Sequence, residues 1–401
     1  MAAPFDVRNP WCKCEQCRNL KDTEQFIRHT VRLVKHLADR GMKHIFMYWD
    51  MLMPSIRIQR EPILDDFLKE IDALGLRDRV IIDWWSYSSI PEMQDFQTTC
   101  PESGTRRILK PWTGYYIWGS LMNPLPNIRH LSQINHEEQG EGLVAYATYD
   151  RSFDRMHDAL ADYGWDHLLT GTEEELTDRY VLRNFPSRYE EVRKAYKMVD
   201  YITESRAPEA SAKQRILSNS GVYNTKLNYY YFAYVPKEGA YPRDYLSECL
   251  TWCLSLGKDL DRMLVSNDAM IRQCIGIFRE AAQDPACNQA IAKRMELECE
   301  NYLTMTDNWL TILQMHDMAK SGKAVQIAPL ARKRQEAEKR YIAMSLGIKE
   351  PYANEAMSLR LHSLMLELFR GIAEYVEREK PEELDLQNAS FMITDRHRWL
   401  Q

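Results

Sequence analysis

Two stretches place side chains capable of chemistry directly after apolar runs. His44-Ile45-Phe46-Met47-Tyr48-Trp49-Asp50-Met51-Leu52 ends in Trp49 and Asp50, and Arg79-Val80-Ile81-Ile82-Asp83-Trp84-Trp85-Ser86-Tyr87 ends in Asp83, two tryptophans and Tyr87. A buried parallel strand reads as a continuous apolar run, and its carboxyl end is where α/β folds set their reacting groups. Carboxyls in an apolar neighbourhood serve as acids, bases or hydroxyl acceptors. Indole faces beside them suit a sugar ring, which offers C–H faces and an edge of hydroxyls. Asp50 and Asp83 are therefore the candidate catalytic carboxyls. Trp49, Asp50, Trp85, Tyr87, Trp118, Asn123 and Asp150 are the candidate substrate-binding residues. The competing role for each Asp is that of an N-cap for the following helix, strongest for Asp150 before Ser152 to Tyr163. Successive strand residues point to opposite faces, so only one of Trp84 and Trp85 can face a site.

Cys12, Cys14 and Cys17 form a Cys-x-Cys-x-x-Cys cluster. Thiolates at this spacing can bind zinc if a fourth ligand arrives from elsewhere, such as His29 or Cys100. Three cysteines without a second cluster also fit a compact loop of free thiols, and no other cofactor is expected. Phosphate-cradling glycine loops, Gly-x-Ser-x-Gly and His-Glu-x-x-His are all missing from the sequence.

The elements that would position these residues divide in two. Over residues 20–170 helix-like and strand-like segments alternate. Amphipathic Asp22 to Arg40, closed by Gly41, precedes the strand at 45–50, and Asp65 to Leu74, closed by Gly75, precedes the strand at 80–83. Residues 114–118 and 142–148 are further strand candidates, with a helix over 125–139 between them. Such alternation predicts βα units and a parallel sheet. Beyond about residue 175, long helical segments dominate: 187–218, 243–257, 260–282, 288–321, 327–346 and 353–378. The expected fold class is α/β plus all-α: a β/α domain over 1–172 and an all-α domain over 173–401.

Composition narrows the partners. A net charge of −6 with 27% charged residues gives no basic excess for a nucleic acid. No run approaches the ~20 apolar residues that span a bilayer, and the amino-terminal residues lack the apolar core of a secretory signal. An odd count of 9 cysteines fits free thiols in a reducing compartment. A cytoplasmic protein with a carbohydrate substrate is expected, without nucleic-acid or membrane partners.

Read together, these motifs resemble those of glycoside hydrolase family 20, the β-N-acetylhexosaminidases, in a divergent form with a long helical carboxyl-terminal region. The matching residues are Trp11-Cys12-Lys13-Cys14-Glu15-Gln16-Cys17-Arg18, then Tyr48-Trp49-Asp50-Met51-Leu52, then Trp84, Trp85 and Tyr87, then Ser120, Asn123 and Asn127, and last Thr148-Tyr149-Asp150. The resemblance covers roughly residues 10–170. It implies the second half of a TIM-type β/α barrel and hydrolysis of terminal β-linked N-acetylhexosamine.

The departure from that family concerns the proton donor. Family members close the fourth strand with an Asp-Glu pair, in which the Glu is the general acid and the Asp orients the acetamido nucleophile. Ahead of the cysteines here stand only Asp6 and Val7. Three explanations stay open: part of a longer gene product, a barrel completed by a second chain or a second copy, or βα units forming an open sheet. The functional alternatives are a non-catalytic sugar-binding or scaffolding protein and a metal-binding protein built on the cysteines.

Overall fold

A computed structural model describes residues 14–48, 60–85, 98–111, 123–145, 151–203, 258–348 and 353–378, with Thr113, Leu121, Leu384 and Leu386. The chain divides into two compact units. The first comprises Met1–Thr113, Pro124–Ala147 and Met156–Leu176; the second comprises Gly114–Asn123, Thr148–Arg155 and Thr177–Gln401.

The first unit opens with α1 (Asp22–Asp39), where the Lys21 backbone N–H donates to the Glu24 carboxylate at 2.9 Å. Phe26, Ile27, Val34 and Ala38 lie buried along one face. Gly41, at φ +86°, turns the chain out of the helix, and the Met42 N–H returns to the Leu37 carbonyl. β1 (Ile45–Tyr48) follows. The motif repeats: α2 (Arg60–Ala73) ends at Gly75, φ +65°, the Leu76 N–H returns to the Ile71 carbonyl, and β2 (Val80–Trp85) follows. Both ends have the Schellman pattern, in which a left-handed glycine lets two N–H groups satisfy orphan carbonyls.

The third strand is β3 (Arg106–Lys110). The sheet is parallel, in the order β1-β2-β3, with Phe46 opposite Ile81 and Ile81 opposite Arg106. An isolated parallel bridge from Leu109 to Leu143 adds to the β3 edge. This is an open sheet among the described residues, so the barrel expectation reduces to successive parallel βα units. Two strand expectations change. The basic stretch Arg106–Lys110 forms the third strand, whereas the candidate at 114–118 lies outside the described residues. Of the 142–148 candidate, the described part contributes the Leu143 bridge.

The strand at 106–110 escapes a hydropathy reading because its three cations all have partners. Arg106 bonds Glu141, meets His44 Nδ1 at 2.9 Å and donates to the Asp78 carbonyl, tying together the amino ends of the strands. Arg107 donates to the Glu138 carbonyl at 2.6 Å. Lys110 pairs with Asp83. One sheet face, Ile45, Met47, Val80, Ile82, Trp84 and Leu109, packs on Phe26, Val34, Phe67, Ile71 and Leu131 in a single core. α3 (Leu125–Glu137) supplies Leu131 to that core.

α4 (Asp154–Trp165) and α5 (Glu173–Asn184) come next. The second unit is helical: α6 (Tyr189–Thr203), α7 (Lys258–Ala281), α8 (Gln289–Lys320), α9 (Ile327–Gly347) and α10 (Ala353–Arg378). The expected spans 260–282, 288–321, 327–346 and 353–378 coincide closely with α7 to α10. Of the expected 187–218, residues 189–203 are helical; the part beyond 203, and the 243–257 candidate, lie outside the described residues. Phe185, Tyr196, Phe278, Trp309 and Phe369 anchor the core.

α8 is buried around its circumference, with every residue from Asn301 to Thr306 inside. A helix so enclosed must place its polar groups against partners. Asn308 donates to Glu338 at 2.5 Å and accepts from Arg334 at 2.9 Å, and Arg334 also reaches Asp307 and the Thr304 carbonyl. Glu338 Oε2 lies 2.6 Å from His362 Nδ1, whose other ring nitrogen lies 2.8 Å from Asn301 Oδ1. Elsewhere in this unit Arg155 makes a two-pronged pair with Asp200 and stacks 4.6 Å above the Tyr196 ring. No helix among the described residues is long and apolar enough to cross a membrane.

Candidate functional site

Asp83 sits near the carboxyl end of β2, opposite Tyr48 of β1 and Ile108 of β3 in register. The strand exists because Val80, Ile82 and Trp84 bury one face, and alternation turns Ile81 and Asp83 to the other. Lys110 closes β3 opposite Trp85, and its Nζ reaches back to Asp83 Oδ2 at 3.1 Å. Both side chains are inside: Asp83 is 0% and Lys110 3% exposed.

Asp83 Oδ1 has no hydrogen-bond partner among the described residues. Burial raises the Asp83 pKa above the ordinary carboxylate value, and the charge and hydrogen bond of Lys110 pull against that rise. Desolvation penalises the charged form and a nearby cation favours it; here desolvation is the larger effect. The result is a carboxyl with one oxygen held by Lys110, the other buried without a partner among the described residues, and a proton affinity above normal. Such a group can accept a ligand hydroxyl, or exchange a proton with one.

Of the other candidates, Asn123 is buried just before α3 and belongs to the second unit, whereas Asp83 belongs to the first. Trp85 stands opposite Lys110 in the backbone register. Trp84 is a fully buried core residue. Trp49, Asp50, Tyr87, Trp118 and Asp150 lie outside the described residues, although Trp49 and Asp50 directly follow β1 and Tyr87 closely follows β2 in sequence.

The cysteine cluster is described in part. Cys14 is exposed and Cys17 half-buried in a turn, where the Cys17 and Arg18 N–H groups donate to the Cys14 carbonyl. Cys12 falls outside the described residues. Among those residues, no group of three or more His, Cys, Asp and Glu side chains is placed to hold a metal ion. Of the two suggested fourth ligands, His29 is exposed on α1 and Cys100 is buried in the sheet core.

Lys110 does not stand out in the sequence. Its partner lies 27 positions earlier on a neighbouring strand, a distance no local pattern spans. The available signal is a lysine placed directly after the apolar pair Ile108-Leu109.

No family model matches the sequence, and no curated protein matches it. Among solved structures, a GH138 enzyme targeting pectin rhamnogalacturonan II aligns with a TM-score of 0.45 and 11% identity. The alignment covers 89% of this chain and 60% of that one. The chain thus spans less than two thirds of that enzyme's length.

Proposed function

We propose that this chain is a carbohydrate-active protein whose sugar site is built at the carboxyl ends of β1, β2 and β3. The observation carrying this reading is Asp83: a fully buried carboxyl near a parallel-strand end, held by Lys110 through one oxygen and unpartnered among the described residues at the other. A buried ion pair contributes little net stability, and an orphaned buried oxygen costs ~1–3 kcal/mol. A buried carboxyl oxygen left without a partner among the described residues supports a ligand at this end of the sheet. Trp49 and Asp50 directly follow β1 in sequence and Tyr87 closely follows β2, residue types suited to stacking and to a second carboxyl.

The finer reading is a glycoside hydrolase acting on terminal β-N-acetylhexosamine, after the family 20 motifs. In it Asp50, Trp49 and Trp85 belong to the sugar subsite. A second reading is sugar binding without turnover, favoured by Lys110, which engages one Asp83 oxygen. Calorimetric titration with N-acetylglucosamine, alongside release of an aryl group from its β-glycoside, separates the two. Failure to bind any neutral hexose or N-acetylhexosamine sinks both.

A further inference from the structure

We propose that the turn joining α4 to α5 is a docking surface for an amphipathic helix of a partner protein, one whose apolar face is flanked by lysine or arginine. This surface belongs to the first unit, and its use does not depend on a sugar site.

Three observations carry it. Trp165, Leu168 and Leu169 are 93%, 73% and 84% exposed. Single exposed apolar side chains are ordinary, but these stand close together in one turn, and an indole this open leaves about 200 Å² of apolar surface in water. Trp is also among the residue types in which binding energy concentrates. Second, the backbone beneath them is fixed. Asp166 Oδ1 accepts from the Leu168 and Leu169 N–H groups at 2.9 and 3.0 Å, and the Asp166 carbonyl accepts from the Thr170 N–H and hydroxyl. The Tyr163 hydroxyl donates to the Gly171 carbonyl at 3.1 Å. The His167 ring lies 4.3 Å from that of His136, near the end of α3. A patch held this way loses little freedom on binding. Third, the charge around it has one sign. Residues 133–141 and 161–172 contain Glu137, Glu138, Glu141, Asp162 and Asp166 but no lysine or arginine. Glu141 is paired with Arg106, and Arg129, earlier on α3, is paired with Glu173. Glu137 accepts from the neutral Gln133 amide and Asp166 from backbone N–H groups, so neither charge is cancelled by an ion pair among the described residues.

That sign selects the occupant. A second copy packed about a two-fold axis would set Glu137 and Asp166 near their own like charges, and an anionic lipid surface would be repelled in the same way. A helix with leucines along one face can cover the indole and both leucines while its flanking cations meet the carboxylates. The test is fluorescence anisotropy of the intact chain with a labelled Leu/Lys amphipathic peptide of about 18 residues and with its Leu/Glu counterpart. The Leu/Lys peptide is expected to bind and the Leu/Glu peptide not. Trp165→Ala/Leu168→Ser/Leu169→Ser, which keeps every charge, weakens binding about tenfold or more. Glu137→Gln/Asp166→Asn, which keeps the hydrogen-bond acceptors and removes the charges, weakens binding and lowers its dependence on salt. The proposal falls if the Leu/Lys peptide does not bind, if the three apolar substitutions leave its affinity unchanged, or if the Leu/Glu peptide binds equally well. A dimer seen in sedimentation and lost on those substitutions would assign the patch to a second copy. Binding to phosphatidylcholine or phosphatidylserine vesicles, lost on the same substitutions, would assign it to a membrane. Either outcome overturns the proposal. Should the triple variant fail to fold, Trp165→Ala decides alone: an unchanged affinity for the Leu/Lys peptide overturns it.

Discussion

Asp83 and Lys110 meet across two neighbouring parallel strands, 3.1 Å apart and shut away from solvent. Breaking such a pair strands a charge, whereas removing both charges does not. Lys110→Met is therefore expected to destabilise the first unit by ~3–5 kcal/mol, and the double change Asp83→Asn/Lys110→Met to recover most of that loss. Urea unfolding of both variants checks this. Equal losses in the single and double variants would show that packing of the lysine stem, not charge, is what the site needs.

The same carboxyl makes a pH prediction. Its folded pKa is raised above the ordinary value by burial, so between those two values the folded chain binds more protons than the unfolded one. Stability contributed by Asp83 is then greatest at acid pH and declines as pH rises through that window. The urea midpoint of the wild type should show this decline, and Asp83→Asn/Lys110→Met should lack it. A wild-type minus double-variant difference that rises with pH over the same range would reverse the assignment.

How far these features are legible in the sequence depends on the range of the interaction behind them. α1, α3 and α7 to α10 announce themselves because helical periodicity is local, and Gly41 and Gly75 mark ends that only a left-handed residue closes well. β3 does not, because Arg-Arg-Ile-Leu-Lys looks solvated until Glu141, Glu138 and Asp83 are brought to it from 27 to 35 positions away. Asp83 is legible from its apolar run, whereas its partner is not. The Glu338–His362 contact is equally hidden, since nothing in α9 or α10 alone distinguishes a buried Glu or His from a surface one.

That contact supports a third prediction. Glu338 receives Asn308 on one oxygen and faces His362 on the other, with no exposure on any of the three. Glu338→Ala removes an acceptor that two buried groups share and should cost ~3–5 kcal/mol. Glu338→Gln keeps the shape and should cost less. Thermal unfolding followed by circular dichroism measures both, and a loss under ~1 kcal/mol for Glu338→Ala would mean the network relaxes around the gap.

Gly75→Ala isolates backbone conformation. The residue sits at φ +65°, and an added Cβ would meet nothing within 4 Å. With no clash, the cost is that of a left-handed alanine, ~1–2 kcal/mol. Gly41→Ala, at φ +86° and equally open, should behave alike. Urea midpoints that stay at the wild-type value would indicate that the turns after α1 and α2 rearrange into right-handed caps.

The last prediction concerns turnover. Asp83 is tied to Lys110 on one oxygen. A general acid must deliver its proton to a leaving oxygen within hydrogen-bond reach. With one oxygen engaged by Lys110, Asp83 has a single oxygen left to reach a leaving group. These 401 residues should therefore bind N-acetylglucosamine yet release aryl groups from its β-glycoside weakly or not at all. Strong turnover abolished by Asp50→Ala would show that Asp50 carries the chemistry. Strong turnover abolished by Asp83→Asn but not by Asp50→Ala would make Asp83 the acid, with Lys110 tuning its proton affinity.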